Sequence, residues 1–91
     1  MTEQLYYIEM IDIPNRSIFQ TESQIPWNQA QLLIQSIDWN VQTVTFGDEI
    51  TEFRLYFGEH YVGTFETSEE RAELQKGFNP EELIRKVNTG V

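Results

Sequence analysis

The chain has 91 residues, with 15 Asp or Glu against 6 Lys or Arg and a formal charge of minus nine at pH 7. A chain this long folds as one domain burying very roughly two-thirds of its unfolded surface, enough for one core but not for a cofactor-sized cavity. With no Cys and a single His, His60, disulfides, thiolate nucleophiles and zinc ribbons are excluded, an all-protein transition-metal site is not expected, and neither is a cofactor.

The first residues, MTEQLYYIEMID, carry neither the basic nor the apolar region of a secretory signal. No apolar run approaches the roughly 18 residues of a membrane helix. The expectation is a soluble protein of a bacterial cytoplasm that contacts no membrane. Leu5 to Ile13 alternates aromatic and β-branched side chains on both faces, Tyr6, Ile8 and Met10 against Leu5, Tyr7, Ile11 and Ile13, as a central strand does. Pro14-Asn15-Arg16 reads as a turn and Ser17 to Thr21 as a short returning strand. Trp27, Ala30, Leu33, Ile34 and Ile37 recur at helical spacing and predict a helix from about Pro26 to Ile37, with proline tolerated in its first turn.

Three strands are expected next, Val41 to Phe46, Ile50 to Phe57 and His60 to Glu66, joined by turns at Gly47-Asp48-Glu49 and Gly58-Glu59. Alternation in the middle strand sends Phe53, Leu55 and Phe57 inward and Glu52, Arg54 and Tyr56 outward. In the third strand Tyr61, Gly63 and Phe65 face inward while Val62, Thr64 and Glu66 face solvent. Thr67 stands three residues before Glu70, the spacing of a capping box, and starts a helix that stops at Gly77. Asn79-Pro80-Glu81-Glu82 starts another, with an N-cap, Pro at N1 and acids in its first turn, ending near Asn88 to Gly90 with Leu83, Ile84 and Val87 as its core stripe. The expected class is α+β in a single domain: an antiparallel sheet of four to five strands, built from an N-terminal strand or hairpin, a helix and a three-strand meander, with two short C-terminal helices.

The motifs for catalysis are missing. A Ser/His/Asp triad would have to use His60, expected as an exposed strand-end residue, with serines that lie in no nucleophile elbow. The carboxylates fall in turns and helix starts, where solvent keeps them ionised, rather than in a pocket that separates their pKa values. Asp48, Glu49 and Glu52 lack calcium-loop spacing, and Gly58 and Gly63 lack the Lys-Ser or Lys-Thr of a phosphate loop. Asn15-Arg16-Ser17 matches the glycosylation acceptor pattern by chance, with no secretory signal before it. No enzyme is expected.

Gly58, Tyr61-Val62-Gly63-Thr64-Phe65, Thr67, Glu69-Glu70 and Ala72 resemble the strand-into-helix segment of ethylene-response-factor domains and related phage integrase arm-binding domains. That resemblance implies a three-stranded sheet backed by a helix, and in those families the sheet reads DNA. The chain departs where their Arg and Trp side chains meet DNA, since its outward face carries Glu52, Arg54, Tyr56, Val62, Thr64 and Glu66. A polyanion needs several basic partners, so no direct nucleic-acid binding is expected.

The acidity is uneven: Asp38 to Glu73 holds nine acids against Arg54 and Arg71, a net of minus seven, and no basic residue lies between Ser17 and Phe53. Carboxylates spaced on a rigid surface can stand in for a row of phosphates. In size, charge and order of elements the chain resembles small phage-encoded anti-CRISPR and anti-defence inhibitors, which implies an acidic, non-enzymatic DNA mimic blocking the basic nucleic-acid site of a nuclease or effector complex. The expected partner-binding residues are Asp48, Glu49, Glu52, Tyr56, Glu59, Glu66, Glu69 and Glu70, with Tyr56 and Trp39 as exposed aromatic anchors. Two alternatives are a structural or regulatory prophage protein that self-associates through the edge of its Tyr-rich first strand, and an immunity or antitoxin partner of a basic toxin. A monomer or a dimer fits either.

Overall fold

The computed structural model describes residues 3–21 and 23–88. The run of Leu5–Asp12 forms β1, and the turn after it brings back β2, Ser17–Gln20, in antiparallel register from Asp12↔Ser17 to Glu9↔Gln20. The turn closes with Arg16 N–H on the Ile13 carbonyl at 3.1 Å and holds Arg16 at φ 56, a left-handed conformation unusual for a non-glycine residue. Asp12 fastens the same turn, its carboxylate accepting from the side-chain amide of Asn15 at 2.5 Å.

The two-residue strand β3, Ile25–Pro26, pairs with Leu5 and Tyr6 and leads directly into helix α1, Trp27–Gln35, with Pro26 as its N-cap. Ala30 and Ile34 of α1 are buried against β1. The expected apolar stripe is only partly covered, because Trp27 and Leu33 are exposed. Trp27 leans on Tyr6, ring centroids 5.1 Å apart.

A three-stranded antiparallel meander follows: β4, Trp39–Phe46, β5, Glu49–Phe57, and β6, His60–Phe65. Its turns have two residues each and put Gly47 at φ +65 and Gly58 at φ +60, conformations that glycine reaches without Cβ strain. Gly58 is also confined by packing. A Cβ there would lie 2.8 Å from Ile37 Cγ2, and its N–H donates to the Asp38 carbonyl at 2.9 Å.

Helix α2, Ser68–Gly77, begins where expected. The Thr67 side chain accepts from Glu70 N–H at 3.2 Å, while the Glu70 carboxylate reaches back to the N–H of Glu66 at 3.1 Å. It packs on β6, with Leu74 over Gly63.

The last expected helix is corrected by the structure. Asn79 does cap a turn, accepting from Glu81 N–H at 3.2 Å, but only one 3-10 turn forms, Pro80–Leu83, and the chain then extends as β7, Ile84–Lys86. An isolated helix of this length is marginal, whereas the strand pairs its backbone with Tyr6–Ile8 of β1 and buries Ile84. Glu9 and Arg85 add an ion pair across that junction at 3.5 Å. The expected helix end between Asn88 and Gly90 lies partly outside the described residues.

The strands therefore divide into two sheets, one of four strands around β1 and the meander of three, instead of one sheet of four to five. With β2, β3 and β7 paired to it, β1 is a central strand, and β3 and β7 occupy the edges beside its tyrosines, against the expectation of an open edge there. Ile8, Met10, Ala30, Ile34, Leu83 and Ile84 form the core with Phe57, the meander's contribution. Aromatic rings continue the junction: Trp39 meets Phe57 at 5.1 Å and Phe78 at 5.6 Å, and His60 stacks on Phe78 at 5.5 Å.

The molecule is elongated, 57 × 24 × 19 Å with a Cα radius of gyration of 15.8 Å, against about 12 Å for a rounded domain of this length. The β4–β5 hairpin explains the shape. β6 covers β5 only from Phe57 back to Phe53, so Val44–Phe46 and Glu49–Glu52 project past it as a two-stranded arm.

Candidate functional site

The acidic residues follow from this architecture. Asp48 lies in the turn at the tip of the arm with Glu49 beside it, both exposed. Glu52, three residues back toward the body and about 10 Å along the strand, is half-buried and lies 3.8 Å from Arg54. Glu52 and Glu66 flank the last β5–β6 pair, Phe53↔Phe65, on its arm side, Glu52 before Phe53 in β5 and Glu66 in the bend after β6. Glu69 and Glu70 follow in the first turn of α2, where the helix dipole favours negative charge. The structure thus gathers Glu52, Glu66, Glu69 and Glu70 at the base of the arm and carries the charge outward to Asp48 and Glu49.

Glu59 belongs elsewhere. It sits in the β5–β6 turn at the opposite end of β5, its backbone N–H directed at the Met10 sulfur at 3.3 Å. There it joins a cleft of about 130 Å³ lined by Met10, Asp12, Ser17, Phe19, Gln42, Tyr56 and Gly58, where the β1–β2 hairpin meets the meander.

Tyr56 is corrected from an outward-facing anchor to a buried residue, 2% exposed. Strict alternation fails at this end of β5, where Leu55, Tyr56 and Phe57 are all buried because both faces are covered. A register shift in the β5–β6 pairing falls between Leu55 and Tyr56. The Tyr56 hydroxyl donates to Asp12 Oδ1 at 3.2 Å and the ring meets Tyr61 edge-on at 5.7 Å. Burial, together with the charge of Asp12 and the hydrogen bond to it, pushes the phenol above its ordinary pKa. Trp39 is likewise half-buried in the aromatic junction and offers no free anchor.

No family model, curated protein or solved structure matches the chain. What the protein does has to be argued from its own surface.

His60 is half-buried rather than an exposed strand end. Its Nδ1 accepts from the N–H of Ile11 at 3.3 Å, so β6 is tied to β1 by a bond that needs that nitrogen unprotonated. Burial lowers the imidazole pKa, and nearby Arg85 lowers it further. The one histidine is thus occupied in joining the two sheets.

Sequence reasoning missed Asp12 and the apolar surface of the arm. Asp12 read only as an interruption of β1; its place beside Tyr56 depends on contacts 44 residues apart. At the arm, Phe46 is 84% and Ile50 57% exposed, although strand periodicity gave no reason to expect either to lack a covering layer.

Proposed function

We propose that the protein is a non-enzymatic binding module whose acidic arm and arm base occupy a basic, nucleic-acid-binding surface on a partner protein, in the manner of a phage-encoded inhibitor of a host defence nuclease. The observation that carries this reading is the like-charge cluster where β6 ends. Glu52 and Glu66 flank the last β5–β6 pair, the Glu70 carboxylate bonds the N–H of Glu66, Glu69 lies beside it in the first turn of α2, and Arg54 is the one cation paired with any of them among the described residues. Acids carried from the end of β6 to the tip of a projecting hairpin are accounted for by electrostatic complementarity to a partner.

The test is replacement of Asp48, Glu49 and Glu52 together by Lys, followed by pull-down against a panel of nuclease effectors at low and high salt. The unmodified protein should retain a nucleic-acid enzyme at low salt and release it to added DNA, and the triple variant should not retain it although it melts cooperatively. Retention of the same enzyme by the triple variant, or indifference to both salt and DNA, would count against the proposal.

A further inference from the structure

We infer that the open edge of β4 is a strand-addition site for an extended segment of a basic protein, one with uncharged β-forming residues flanked by Lys or Arg. The inference rests on the acidic-module reading above and assigns that module its point of contact. Among the described residues β4 pairs with β5 alone, leaving the other edge of Trp39–Phe46 without a strand. Such an edge is a row of unpaired backbone donors and acceptors, which proteins ordinarily guard with charges, proline or a covering element. β4 contains no charged residue and no proline. Its one irregularity, the register shift at Val44/Thr45, lies toward the tip and leaves Trp39–Val44 regular.

The arm also needs the support an added strand would give. Beyond Phe53 it consists of two strands only, and two-stranded ribbons are marginal in water without a third strand or a packed face. A segment laid along β4 would supply backbone hydrogen bonds for affinity and set its side chains beside exposed Val41 on one face of the sheet and exposed Phe46 on the other.

Charge decides which chain adds. Asp38 precedes the strand, Asp48 and Glu49 follow it, and no Lys or Arg lies between Ser17 and Phe53. A second copy pairing antiparallel about a two-fold axis would bring Asp48 and Glu49 of each tip against Asp38 of the other at both ends of the ladder, and each copy brings a charge of minus nine. A segment with cationic flanks meets those same acids favourably.

Three synthetic peptides test this: six alternating Thr and Val with two Lys at each end, the same core with Glu flanks, and the Lys-flanked peptide N-methylated on alternate core residues. Each is titrated into the isotope-labelled protein and followed by amide chemical shifts, with the mass of the free protein measured by light scattering. The Lys-flanked peptide should bind with shifts concentrated on Trp39–Phe46, about tenfold or more weaker in high salt, and the Glu-flanked peptide should not bind. N-methylation should weaken binding about tenfold or more, since it removes ladder donors and keeps the charge. Val41→Lys should abolish binding while the variant still unfolds cooperatively.

Equal binding by the methylated peptide, or shifts centred on Glu66–Glu73, would overturn strand addition while leaving the acidic-module reading intact. Absence of binding by every peptide would overturn it as well, and the nuclease pull-down would still judge the broader reading. A salt-resistant dimer with β4 amides already protected would make a second copy the occupant and overturn the proposal.

Discussion

Gly47 and Gly58 occupy the same left-handed region at φ +65 and +60, each beginning a two-residue turn of the meander, yet their surroundings differ. A Cβ on Gly47 meets nothing within 4 Å, whereas one on Gly58 meets Ile37 Cγ2 at 2.8 Å and the Met10 methyl and sulfur at 3.2 Å. Alanine at either position takes on the backbone cost of a left-handed conformation, about 1–2 kcal/mol. At Gly58 it must also displace Ile37 and Met10, and Met10 is itself buried in the core, which adds about 1–3 kcal/mol of overpacking. Gly47→Ala is therefore expected to lose about 1–2 kcal/mol and Gly58→Ala about 2–5 kcal/mol, against a total stability of about 5–10 kcal/mol for a domain of this size. Urea unfolding of both variants, with slopes matching the parent, measures the difference. If Gly58→Ala proves no less stable than Gly47→Ala, the β5–β6 turn does not sit against Ile37 and Met10, and the packing that joins the sheets is wrong.

Leu55→Ala should cost about 2–5 kcal/mol because Leu55 is 0% exposed, whereas Leu33→Ala, at 43% exposure, should cost under about 1 kcal/mol, as thermal and urea unfolding can compare. His60 has a folded-state pKa below its unfolded value of 6.5. Its contribution is therefore complete above that value, declines as pH falls toward the folded pKa, and levels off beneath it. His60→Asn, which keeps an acceptor for Ile11 N–H, should remove this slope from stability measured between pH 7 and 5; an identical slope in the variant would exclude His60 as its source. Tyr56→Phe should cost about 1–2 kcal/mol by removing the donor to Asp12, and absorbance titration of the parent should show a tyrosine ionising above the ordinary phenol value that the variant lacks. Arg16→Gly should gain up to about 1 kcal/mol by relieving the left-handed conformation; a loss in calorimetry would mean that the arginine side chain holds the turn.

Much of the fold was legible locally. The β1–β2 hairpin, α1, the three meander strands with their glycine turns, and α2 with its Thr67 cap all follow from periodicity, turn residues and capping, interactions closed within a few residues of chain. The acids of the arm and α2 were legible too, because a charge in a turn or a helix's first turn is solvent-exposed almost wherever that turn ends up. Competition between distant segments was not. Ile84–Lys86 chose pairing with β1 over continuing a helix because the edge at Tyr6–Ile8 was free to receive it, a fact set nearly 80 residues away in the chain.

Sequence alone fixed the composition, the charge, the chemistry it lacks and the short-range elements, since those depend on residues and their near neighbours. Only tertiary structure divided the strands into two sheets, covered the second face of β5 and so buried Tyr56, and drew His60 into a bond with Ile11. It also left β4 and the arm without a third strand. Each of these turns on what lies above or beside a strand, and a strand's own alternation encodes two faces without saying whether one or both will be covered.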